Sequence, residues 1–132
     1  MLTVRNGQLA ALADERARDF AERMCRHLRH EFPAETAALG DAELRTAVDA
    51  ALARARAWGL ASGEELCRWL NLCACFGWAF DRDPALPWMR AALADAGGGA
   101  PGERLHLLYE RALHRLETEA RNRRLREAFG VG

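Results

Sequence analysis

From Leu66 to Phe80 the chain is apolar nearly all round, with the longest run, Trp69–Phe80, broken only by Asn71. Twelve residues fall short of the roughly 20 that a membrane span needs. A helix this apolar is normally the central, buried one of a bundle. Its start is marked by Ser62-Gly-Glu-Glu65, the S-x-x-E pattern in which Ser62 caps the helix and Glu65 reaches back. The chain must therefore supply other helices to surround this one.

It does so by spacing. Leu9, Leu12, Ala13, Ala17, Phe20, Met24, Leu28 and Phe32 recur at helical intervals and predict a first helix that Pro33 stops. Its other face holds Asp14–Arg18, Asp19–Arg23 and Glu22–Arg26, each an acid four residues before a base. A second helix is expected from Asp41, taken as its N-cap, to Trp58–Gly59, burying Leu44, Val48, Ala51, Leu52 and Ala55. Pro87 suits the first turn of a short helix, Trp88 to about Asp95. Gly97–Gly102 reads as a flexible glycine-rich loop. The last helix runs from about Glu103 to Ala128, with Leu105, Leu108, Tyr109, Ala112, Leu113 and Leu116 as its stripe. No stretch alternates with period two for long enough to be a strand. The expectation is an all-α bundle, four long helices and one short, in a single domain over residues 1–132.

Composition narrows the function. Acidic and basic residues are 19 each, so no net field draws the chain to nucleic acid or anionic lipid. Every base is arginine, whose planar fork pairs carboxylates in two-point contacts. Residues 1–20 lack the apolar run of a signal peptide, so a cytoplasmic setting with reduced cysteines is expected.

The candidate chemistry is sparse. On a helix, Cys73 and Cys75 would stand about 200° apart, and Cys67 and Cys75 roughly 12 Å apart along the axis. Neither pair can share a zinc ion or a disulfide, and all three read as core. His27 and His30 share a helix face and would need a third ligand, from His106 or His114 or from Asp81 or Asp83. That is the basis of one alternative, a metal-dependent enzyme or sensor. Asp81 and Asp83 precede Pro84, where aspartate caps and turns the chain. GGGAPG lacks the Lys-Ser/Thr of a P-loop, and Ser62 is the only serine and a cap. Residues 55–70 have the rhythm of a helix-turn-helix, the basis of a second alternative, a nucleic-acid-binding regulator. Glu64 and Glu65 at the second helix's start would repel phosphate.

Three stretches carry a resemblance: His27-Leu-Arg-His-Glu-Phe-Pro33, the Trp58-Gly-Leu-Ala-Ser62 turn, and Phe76–Trp88 with its FG-x-x-FD-x-DP-x-x-PW pattern. They resemble a family of small helical bacterial proteins associated with type VI secretion and toxin gene clusters. The resemblance covers residues 1–95 and leaves out the last helix. It implies a non-enzymatic accessory role as adaptor, chaperone or immunity protein, with no catalytic residues and no cofactor. The implied partner is a secreted effector, toxin or spike component. Tryptophan and arginine dominate binding hot spots, so Trp78, Asp81, Arg82, Asp83, Trp88, Arg121 and Arg124 are the candidate partner contacts.

Overall fold

A computed structural model describes residues 6–130. Among them the chain is all helix and turn: α1 Asn6–Glu31, α2 Pro33–Thr36, α3 Asp41–Ala57, α4 Gly63–Phe76, α5 Pro87–Ala94 and α6 Pro101–Ala128. Short 3₁₀ turns at Phe80–Arg82 and Ala96–Gly98 lead into and out of α5. The four long helices and the short one are those the spacing predicts, and the one-turn α2 is an addition.

α4 is the central helix. It packs against α1, α2, α3 and α6, and buries Leu66, Trp69, Leu70, Leu72 and Cys73. Ser62 Oγ accepts the Glu65 backbone N–H at 3.1 Å, and the Glu65 carboxylate accepts the Ser62 N–H at 3.0 Å. The capping box thus closes as its residues require. α3 buries the five residues its periodicity names, Leu44, Val48, Ala51, Leu52 and Ala55. It ends at Gly59, whose φ of 91° a side chain rarely adopts, and a Cβ there would meet Pro101 at 2.9 Å. That close approach seats the start of α6 on the end of α3.

Several expectations need correction. α4 stops at Phe76, not Phe80, because Gly77 leaves the helix at φ 113°. Gly40, not Asp41, is the cap of α3; Asp41 is the first helical residue and its carboxylate meets Arg29 at 3.0 Å. Residues 97–102 are not an open loop: Asp95 Oδ1 accepts the Gly97 N–H at 2.9 Å, and Pro101 already starts α6. Among the described side chains of α1, burial begins at Phe20 and Ala21; Leu12 is 51% exposed, and Ala13 and Ala17 are exposed too. The side chain of Leu9 lies outside the described set. None of the three acid–base pairs expected on α1 closes; Glu22 meets Arg45 of α3 at 3.7 Å instead. At the other end, α6 outruns the body, and residues 121–130 are exposed throughout.

Candidate functional site

The Phe76–Trp88 stretch folds as a corner. After Gly77 turns the chain, Phe80 enters the core and lies against the ring of Trp69, centroids 4.7 Å apart. The 3₁₀ turn then places Asp81 inside, 4% exposed. One carboxylate oxygen takes the Arg54 guanidinium, and the other accepts Trp58 Nε1–H at 3.0 Å. A buried carboxylate is tolerable only with such partners. Asp81 thereby pins the end of α3 to the chain beyond α4, and it has no surface to offer a partner. Asp83 makes a local turn instead, accepting the Ala85 N–H at 2.9 Å. The two aspartates diverge, one inward and one into a local turn.

The histidines also part. His27 is half-buried between helices: its Nε2 lies 2.8 Å from Asn71 Oδ1 and 3.6 Å from Cys67 Sγ. Asn71 Nδ2 in turn donates to the Tyr109 hydroxyl at 3.0 Å. This polar chain ties α1, α4 and α6 across an apolar interface, which is why Asn71 interrupts the Trp69–Phe80 run. Thiol, imidazole and amide together suggest a Cys–His–Asn triad, but both neighbours approach the same ring nitrogen. A relay needs the orienting group on the other one. Burial also raises the Cys67 thiol above its ordinary value, the opposite of an activated nucleophile. His30 points out to Glu31 at 3.2 Å, and His106 pairs with Glu110 one turn on at 3.1 Å. No three His, Cys, Asp or Glu side chains gather around a metal position among the described residues.

The remaining cysteines separate as the helix geometry requires. Cys73 is buried, and burial, with Asp81 nearby, pushes its thiol far up. Cys75 is exposed, which corrects the expectation that it is core. A hollow of about 560 Å³ along the α1–α3 seam has two of its three arginines engaged. Arg29 donates to the carbonyls of Thr36 and Leu39, and Arg45 meets Asp49 at 3.2 Å. A smaller apolar cleft of about 180 Å³ lies between α4 and α6, lined by Phe32, Leu72, Phe76 and Leu113.

A surface with unengaged chemistry lies where α5 meets α6. Trp88, seated by Pro87 in the first turn of α5, packs edge-on against Phe76 at 5.9 Å. Arg115 lies 4.2 Å over its ring and Arg111 5.2 Å. Both arginines are exposed, and neither reaches a carboxylate among the described residues. Arg82 and Arg90 are also exposed and line a neighbouring hollow with Asp83. Of the residues singled out from sequence, Trp88 belongs to the α5–α6 surface, and Arg82 and Asp83 line the hollow beside α5. Trp78 is half-buried, and its carbonyl receives a weak bond from the Cys73 thiol at 3.9 Å. Arg121 and Arg124 are exposed on the far part of α6, away from Trp88. Arg111 and Arg115 escaped the sequence reading; their i,i+4 spacing on one helix face was the available signal. Against protein-family models, curated proteins and solved structures, the chain finds no match.

Proposed function

We propose that this chain is a non-enzymatic protein-binding module. In this reading it is an accessory of a bacterial secretion or toxin system, an adaptor, chaperone or immunity protein acting in the cytoplasm. The reading takes its biological setting from the resemblance of the Phe76–Trp88 corner. Its physical support is the α5–α6 surface, where two exposed arginines stack over a half-buried tryptophan and neither meets a carboxylate among the described residues. Arginine over an indole keeps its fork free for a partner's carboxylate. Tryptophan and arginine are also the residues most enriched among binding hot spots. Behind this surface the Asp81–Arg54–Trp58 lock holds the corner rigid, so little ordering cost accompanies binding. In chemical terms, the partner is a secreted effector, toxin or spike component.

Native mass spectrometry of the protein drawn gently from its own cells tests this. The expected result is a complex with one such partner at fixed stoichiometry. An isolated chain carrying a stoichiometric zinc or iron ion would sink the reading and return attention to His27 and Cys67.

A further inference from the structure

The charges of α6 are sorted by face. At about 100° per residue, Leu107, Arg111, Arg115, Thr118, Asn122, Leu125, Arg126 and Phe129 fall within an arc of about 100°. The glutamates of the helix, 103, 110, 117, 119 and 127, all lie outside that arc. Three of the exposed large apolar residues of the protein lie on it: Leu107 at 54%, Leu125 at 47% and Phe129 at 78%. The arc begins where Arg111 and Arg115 cover Trp88, and it continues along the exposed end of the helix. An ordinary solvated helix intersperses both signs on every face.

We infer that this acid-free stripe is the docking face for an acidic amphipathic helix of the partner protein. The inference rests on the protein-binding reading above and specifies its chemistry. Four occupants can be weighed by charge and shape. A second copy pairing through the stripe brings no carboxylate on that face, so its arginines would meet apolar side chains or other arginines and stay unpaired, which disfavours it. A membrane wants arginines segregated from the apolar face, whereas Arg111 lies in line with Phe129. A nucleic-acid duplex would also meet the flanking glutamates, and the chain has no net positive charge to steer it. An acidic helix satisfies both halves of the stripe. Its apolar residues meet Leu107, Leu125 and Phe129, and its carboxylates take the forks of Arg111, Arg115 and Arg126.

The test uses the full chain and a synthetic helical peptide with leucine at its a and d positions and glutamate at e and g. Controls are the same peptide with lysine for glutamate, a short DNA duplex and phosphatidylserine vesicles. The acidic peptide alone is expected to bind, and Arg111→Glu with Arg115→Glu should weaken it at least tenfold. Because those arginines cover Trp88, a second variant, Asn122→Glu with Leu125→Glu, lies on the exposed end and leaves the body untouched. It should weaken binding similarly, while Arg123→Glu, outside the arc, should change it less than threefold. No binding of the acidic peptide, equal effects of Arg123→Glu, or tighter binding of the duplex or vesicles would overturn the inference. A dimer broken by Asn122→Glu would overturn it as well. If the cellular partner stays bound to both charge-reversed variants, the stripe is wrong while the protein-binding reading stands. If no cellular partner exists, that reading falls instead.

Discussion

Arg54 and Arg111 are the same side chain in opposite circumstances. At the corner, Arg54 is drawn inside against Asp81, and Trp58 adds a hydrogen bond to the same carboxylate. On α6, Arg111 and Arg115 lie over Trp88 in solvent, and neither pairs with an acid among the described residues. The corner uses charge to fix where three chain segments meet. The α6 face keeps its charge for something outside the molecule. Stability and binding should therefore separate cleanly between the two regions.

The largest effect belongs to Asp81→Ala. It leaves the largely buried Arg54 uncompensated and removes the acceptor of Trp58 Nε1. Losing one partner of a buried pair costs 3–5 kcal/mol, and Arg54 retains some access to water, so about 3 kcal/mol is expected in urea unfolding. Asp83→Ala, two residues on, removes only a local turn bond and should cost about 1 kcal/mol, as a lost cap does. Equal costs for the two aspartates would mean that the corner is not locked by Asp81.

Next comes the pair of cysteines beside that corner. Cys73→Ala trims a buried side chain and should lower stability by about 1 kcal/mol, while Cys75→Ala on the exposed side should change it by less than about 0.5 kcal/mol. The same burial predicts that a thiol reagent labels Cys75 in the native protein and reaches Cys73 only on unfolding. Rapid native labelling of Cys73 would show a corner that opens.

These contrasts also mark what could be read from the residues in order. The stripe of α3 was fully legible, because each of its apolar residues lies where periodicity puts it and each is covered. In α1 the same rhythm runs back to Leu9, yet Leu12, Ala13 and Ala17 are exposed; spacing tells which face is apolar, not whether anything covers it. The end of α4 was hidden because Trp78, Ala79 and Phe80 continue the apolar run, and only Gly77 signals the stop. Asp81 read as a turn residue since its partners Arg54 and Trp58 lie far back in the chain. The α6 stripe was present in the sequence throughout. It becomes visible once α5 is seen to lay Trp88 beneath Arg111 and Arg115.

A smaller effect is tied to pH. The Glu65 carboxylate accepts the backbone N–H groups of Ser62 and Ala61, and these bonds hold its pKa below the ordinary glutamate value. A depressed pKa means the folded state binds the proton less readily than the unfolded chain. The contribution is therefore complete above the unfolded glutamate value, near pH 4.5, and is lost as pH falls through the folded one. Glu65→Gln should lower stability at neutral pH, and the gap to wild type should close in the acid limb. A gap that stays constant with pH would assign the effect to packing beside Gly102, where the carboxylate sits close against α6.

The smallest change in stability is expected at the far end of α6. Leu125→Asn and Phe129→Ala alter side chains 47% and 78% exposed, in a stretch, 121–130, that is exposed throughout. Such surface changes fall within about 0.5 kcal/mol. Their helix is extended from a packed root, so it needs no nucleus of its own, and neither residue anchors it. The comparison with the corner turns on this result. If either substitution costs more than about 1 kcal/mol, the exposed end is covered in solution. The cost would then grow with protein concentration if a second copy supplies the cover, and stay constant if the chain covers itself. A neutral result, beside the loss at Asp81, leaves the α6 face free for an outside partner.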